Sequence, residues 1–240
     1  MEDMSVDDPL AQLTARRTFL FWAAAFLLAN LTATILVLVT YGTRDEDVVV
    51  PFWVVTVSAL GMWASYAFVL GRVSTKFGSG NVARDYRIRF APSDLWGIPL
   101  GIASQFILVT AVTYPLTRLF PDAFSVEEVE KRARDLVDSA SGGWMLALLL
   151  IVVVGAPVIE EIVYRGLLQQ GLERSIHPRV ALTLTAIIFA AIHMQPIEFP
   201  GLFVFALVLG WAYQRTQRLG LPIVAHMAFN ASGVLVVTLL

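Results

Sequence analysis

Gly143-Trp-Met-Leu-Ala-Leu-Leu-Leu-Ile-Val-Val-Val-Gly-Ala-Pro157-Val-Ile-Glu160-Glu161-Ile-Val-Tyr-Arg165-Gly166-Leu-Leu-Gln169 decides how the rest of the chain is read. The run exceeds the ~20 apolar residues that a helix needs to cross ~30 Å of hydrocarbon, so a membrane span is expected. Ionisable groups at that depth are costly and rare. Two adjacent carboxylates and an arginine inside the run therefore mark a candidate functional site.

The remainder of the chain agrees with a bilayer. Of 240 residues, 57% are hydrophobic and only 15% are charged, where a soluble domain carries about 25% charge. Mean hydropathy is +0.71. A net charge of −2 argues against nucleic acid as a partner, and the lack of cysteine excludes disulfides, thiol nucleophiles and cysteine metal sites. Glu2, Asp3, Asp7 and Asp8 precede the first basic pair, the wrong order for a secretory signal.

Working outward from residues 143–169, apolar segments occur at 19–40, 51–70, 95–117, 179–193, 201–213 and 221–240. The expected fold is all-α: a polytopic transmembrane helix bundle of about seven spans, within a range of six to eight. The segments at 179–193 and 201–213 are short, and could be tilted, broken or sheltered by neighbours. If the chain alternates sides, Arg16, Arg17, Arg72, Lys76, Arg84, Arg87, Arg89, Arg174, Arg179, Arg215 and Arg218 share one side, against Arg44, Arg118, Lys131, Arg132 and Arg134 on the other. Eleven against five predicts seven crossings with the N-terminus in the cytoplasm. Two connections carry their own signals. Arg87-Ile-Arg89-Phe90 alternates like a short strand against the membrane, or more plainly belongs to a basic loop over lipid headgroups. Ser125-Val-Glu-Glu128 fits a capping box opening an amphipathic helix on the bilayer surface.

Polar residues of the last hundred positions form three groups at helical spacing. Glu161 and Arg165 are four apart with the acid first, the favourable order for a side-chain pair. Glu160 is rotated about 100° from Glu161, so one arginine cannot easily serve both. One carboxylate is then structurally paired and the other is left as a candidate general base. The bland alternative is a helix–helix salt bridge with one incidental acid. Phe189-Ala-Ala-Ile-His193 ends the fifth segment, where a lone histidine is more often a packing residue than a catalyst. His226-Met-Ala-Phe-Asn230 points an imidazole and a carboxamide from one face, toward a single ligand atom or toward a neighbouring helix. Counting from the turn near Ser175, Glu160 and His193 lie at similar depth, whereas His226 and Asn230 lie nearer the surface if their helix starts there. A kink at Pro157, or a last helix starting below the surface, would have to close that gap.

Glu160-Glu161-x-x-x-Arg165, Phe189-x-x-x-His193 and His226-x-x-x-Asn230, in this order on successive late segments, resemble the three motifs of the CPBP family. That family comprises the type II CAAX prenyl endopeptidases and their bacterial relatives, including bacteriocin-processing and self-immunity proteins. The resemblance covers roughly residues 144–237. It divides the chain into N-terminal transmembrane segments with a basic loop and surface helix (1–142) and a protease core (143–240).

The resemblance implies an intramembrane endopeptidase in a bacterial plasma membrane, acting on a membrane-anchored or prenylated protein or peptide. Glu160 would activate water with help from His193, and His226 and Asn230 would stabilise the oxyanion. Glu161 and Arg165 would hold the helix, with Glu161 available to assist. A zinc ion on Glu160, His193 and His226 with a water as fourth ligand is the alternative. The chain has no His-Glu-x-x-His, which tilts the balance toward a reaction without metal. Serine and aspartyl intramembrane mechanisms lack their motifs: Asn230-Ala-Ser-Gly233 and Ser139-Ala-Ser-Gly142 both miss the leading glycine, and no Gly-x-Gly-Asp occurs. A proton-coupled transporter would show paired broken helices in two halves, but the polar residues here all fall in the second half. A non-enzymatic immunity protein is the remaining alternative.

Overall fold

The computed structural model describes residues 9–42, 50–121, 124, 134–140 and 143–239, and every regular element among them is helical. Seven helices carry the fold: α1 (Ala15–Thr40), α2 (Phe52–Phe77), α3 (Pro92–Leu119), α4 (Trp144–Glu173), α5 (Pro178–Ala191), α6 (Phe199–Thr216) and α7 (Gly220–Leu239). Five of these, α1 to α4 and α7, are long and apolar enough to cross a bilayer. With 14 residues, α5 reaches only about 21 Å at ~1.5 Å per residue. The expected seven crossings thus narrow to five helices that qualify by length and composition, in a polytopic helical bundle. The Ser125–Glu128 capping box lies outside the described residues.

Large apolar side chains are turned outward along the bundle, among them Leu27, Leu31, Phe68, Ile107 and Leu146. Water would penalise such a surface, and hydrocarbon does not. Inside, the main core joins Trp22 of α1, Tyr66 and Leu70 of α2, Tyr164, Leu167 and Leu168 of α4, Phe189 of α5, Tyr213 of α6 and Ile223 of α7. Both halves of the chain therefore contribute to one interior.

Close helix packing depends on small residues, as expected where lipid offers no hydrophobic drive between helices. A Cβ on Gly101 of α3 would lie 2.1 Å from the Ala225 carbonyl oxygen of α7, and one on Gly97 would lie 2.7 Å from the Ala225 nitrogen. Backbone cannot step aside as a flexible side chain can. Gly101→Val should lower stability by about 1–3 kcal/mol through overpacking; thermal unfolding in detergent checks this, and an unchanged midpoint would contradict the flush α3–α7 contact.

Two helices depart from regular α geometry. Turns of i→i+5 type run over Ser104–Val109 in α3, and over Leu149–Gly155 and Ile162–Gln169 in α4. The two in α4 flank Pro157 and the paired acids. Such wide turns are uncommon and occur often at functional sites.

The basic connection between α2 and α3 is not a strand. Residues 87–90 form no β-ladder, and Arg87 has a positive φ of 55°. The alternation nevertheless has a partner, because two alternate carbonyls are used: Arg87 O accepts from Leu219 N–H at 3.0 Å and Arg89 O from Gly220 N–H at 3.1 Å. Side chains reinforce this clamp. Arg218 donates to Asp94 at 2.7 Å, and the Arg87 guanidinium donates to Gln217. The Asp94 hydrogen bond pushes the Arg218 guanidinium above its usual range. Upstream, the buried Asp85 carboxylate accepts from the Ser74 and Ser79 hydroxyls at 2.5 and 2.6 Å. Beside it Tyr86 donates to the Leu70 carbonyl at 2.9 Å. Burial first and Asp85 second push the Tyr86 hydroxyl well above its usual range, opposed by Arg174.

Candidate active site

The site begins with a chain of ionic hydrogen bonds through the bundle. Arg165 Nη1 donates to Glu161 Oε1 at 2.7 Å, one turn away on α4, and both side chains are 0% exposed. Arg165 Nη2 donates to the Ala206 carbonyl of α6 at 3.0 Å. The guanidinium lies over the Phe189 ring of α5, 4.9 Å from its centroid. One cation thus ties three helices together. These contacts offset part of the cost of burying the pair, while Glu161 Oε2 and Arg165 Nε are buried without a hydrogen bond among the described residues.

Glu161 also holds α7. His226 Nδ1 is 2.9 Å from the same Glu161 Oε1, and His226 is buried between the Phe189 and Phe205 rings. A carboxylate paired with arginine can only accept, so Nδ1 carries the proton. That turns Nε2 toward Glu160, whose Oε2 is 3.8 Å away. The two adjacent acids therefore have different surroundings. Glu161 is wholly buried, whereas the Glu160 side chain is 29% exposed.

His226 reaches this depth because α7 starts well inside the bundle. A Cβ built on Gly166 of α4 would lie 3.0 Å from Tyr86 Cβ and 3.5 Å from Leu219 Cδ1. Leu219 is thus level with Gly166, not with the turn that follows α4. From that common level, seven residues along α7 and five back along α4 span about 10 and 8 Å, which brings His226 to Glu161. The clamp from Arg87 to Asp94 occupies the space above the recessed helix start. Of the two ways of closing the depth gap, a sunken start of α7 is present.

Glu160 and His193 line one cavity of about 210 Å³. Its opposite wall comes from α1 and α2, through Phe26, Asn30, Trp63 and Tyr66. His193 lies just beyond the end of α5 and bonds through Nδ1 to the Phe189 carbonyl at 2.7 Å. A carbonyl can only accept, so this proton is also on Nδ1 and leaves Nε2 as the acceptor in the neutral ring.

Asn230, one turn beyond His226, donates from Nδ2 to the Val152 carbonyl at 2.8 Å. Val152 O is available for a local reason. Ala156 N–H donates to Ile151 O, five residues back. In that register the next carbonyl, Val152, would face Pro157, which has no N–H. The wide turn and the proline together present a carbonyl to α7.

A metal does not fit this arrangement. Among the described residues no three His, Asp or Glu side chains are grouped as a metal ion requires. Glu160, His193 and His226 are not such a set.

Sequence reasoning singled out Glu160, Glu161, Arg165, His193, His226 and Asn230. The first three share α4 with Glu161–Arg165 at its centre; His226 bonds Glu161 and lies 3.8 Å from Glu160, His193 shares the cavity with Glu160, and Asn230 is tied to Val152. It missed Phe205, which packs its ring 5.4 Å from His226 and stacks on Phe229 at 3.8 Å. It also missed the α1–α2 wall. Phe26, Trp63 and Phe205 are not distinguished from other apolar positions of their helices, whereas Asn30, a carboxamide inside the apolar run of α1, carried a signal that was passed over.

Residues 142–232 match the family described as Type II CAAX prenyl endopeptidase Rce1-like. All three motifs fall within the matched stretch, and this is the family that they resemble. No curated protein and no solved structure matches the chain.

Proposed function

Taking the CAAX-protease-type domain of residues 142–232 as the premise, we propose that this membrane protein is an intramembrane endopeptidase cleaving a membrane-anchored or prenylated substrate. The observation that carries the reading is the cavity shared by Glu160 and His193, backed by the buried Glu161–Arg165–His226 chain. Residues 143–240 form its catalytic core.

In this reading Glu160 takes a proton from a water held between its carboxylate and His193 Nε2. The water oxygen attacks the scissile carbonyl. The second Nδ2 hydrogen of Asn230 addresses the oxyanion, and His226 does so from Nε2 in its doubly protonated form, with Nδ1–H held by Glu161; the oxyanion site usually contributes most to acyl transfer. When the C–N bond breaks, Glu160 returns its proton to the leaving amine. Glu161 and Arg165 hold α4, α5, α6 and α7 in register. The bias of eleven basic residues to five supports an N-terminus in the cytoplasm.

The test uses purified protein in detergent and a quenched fluorescent peptide, farnesylated or not. Cleavage should fall about 10²-fold or more in His193→Ala, the size expected for a group acting in acid–base catalysis. Equal cleavage by parent and variant would overturn the assignment. Proton flux into proteoliposomes that depends on Glu160, with no cleavage, would favour the transporter instead.

A further inference from the structure

A second hollow lies away from the catalytic residues, between the start of α1 and the end of α2. It measures about 450 Å³ and is lined by Arg17, Leu20, Phe21, Ala24, Lys76 and Phe77. Its lining is apolar apart from two cations, and no acidic side chain among the described residues contributes to it. Arg17 and Lys76 are both exposed and both approach the Phe77 ring, at 5.9 and 5.4 Å from its centroid. Phe21 packs on the same ring at 5.3 Å.

Two like charges gathered at one aromatic ring repel one another unless an anion joins them. Their position along the helices matters as much. Arg17 is in the first turn of α1 and Lys76 in the last turn of α2, so both stand at one end of an antiparallel pair. Leu20, Phe21 and Ala24 continue one turn deeper along α1, and small Ala24 leaves the furrow open beside Leu20. Cations at the interface with an apolar furrow below them are the complement of a lipid with an anionic head.

We infer that this hollow binds one anionic phospholipid, its phosphate between Arg17 and Lys76 and an acyl chain along Leu20, Phe21 and Ala24. The occupant comes from the surrounding bilayer. The inference does not depend on the proposed catalysis, because no residue of the hollow belongs to the Glu160 cavity.

Native mass spectrometry of the full chain in detergent, titrated with dioleoylphosphatidylglycerol or dioleoylphosphatidylcholine, tests it. The parent should bind the first phosphatidylglycerol about tenfold more tightly than phosphatidylcholine, from the attraction of two basic residues to an anionic head. The double variant Arg17→Gln/Lys76→Gln should lose that preference. Ala24→Trp, which keeps both charges and fills the furrow, should also lose it. Arg84→Gln/Arg89→Gln, which removes basic residues elsewhere on the same side, should keep it. Equal binding of the two lipids by the parent would overturn the site. So would retention of the preference in either hollow variant, or its loss in the Arg84/Arg89 control. Displacement of phosphatidylglycerol by millimolar inorganic phosphate would show a free-phosphate site and overturn the lipid assignment. Matching thermal midpoints of all variants keep misfolding from mimicking any of these results.

Discussion

Glu160→Gln is expected to abolish peptide cleavage while leaving the protein folded. The substitution keeps size and shape and removes only the ability to take a proton. Among the described residues Glu160 makes no short ionic bond; His226 Nε2 lies 3.8 Å from its carboxylate. Its side chain already faces the cavity, so stability should change little. A group that both receives the proton of the attacking water and returns it to the amine acts in two steps, so a loss of roughly 10³-fold or more is expected. Initial rates with the quenched peptide, beside a thermal unfolding curve, measure both quantities. Cleavage within tenfold of the parent, at an unchanged midpoint, would remove Glu160 from the reaction.

Arg165→Ala should act in the opposite way and damage the fold first. Truncation leaves the 0% exposed Glu161 carboxylate with His226 alone, and leaves the Ala206 carbonyl without its donor. Removing one partner of a buried ion pair typically costs about 3–5 kcal/mol. The packing of the guanidinium on Phe189 is lost as well. A large fall in the thermal midpoint, with lower yield of monodisperse protein, is the expected outcome. The double variant Arg165→Ala/Glu161→Gln should recover part of the loss, since no unpaired charge is then left behind. If Arg165→Ala alone is as stable as the parent, the guanidinium does not join the helices as described.

How much of this was readable from the chain depended on distance along it. The Glu161–Arg165 bond lies within one helical turn, so spacing alone predicts it, and the overall helical character follows from composition and run length. The meeting of His226 with Glu161 is different. It depends on where α7 begins, and that start is fixed by Arg87, Arg89 and Asp94, more than a hundred residues earlier. Counting residues from an assumed membrane surface misplaces the whole helix. The alternation of residues 87–90 suggested a strand that is not there; the carbonyls of Arg87 and Arg89 receive the N–H groups of a helix start instead. The Asn230–Val152 bond required two local facts at once, a missing donor at Pro157 and a wide turn before it. Only the proline was visible in the sequence.

The wall formed by Phe26, Asn30, Trp63 and Tyr66 belongs to helices that carry none of the three motifs. The groups that would move protons must keep angstrom geometry, whereas a wall opposite them need only present a shape. In the proposed function, selectivity and chemistry thereby fall to separate stretches of polypeptide. If the proposed reaction holds, wall side chains such as Phe26 and Asn30 can be altered to admit a wider or narrower peptide while the acids and imidazoles across the cavity are kept. Exchanging Phe26 and Asn30 between related chains should therefore change which substrates are accepted while preserving how they are cut.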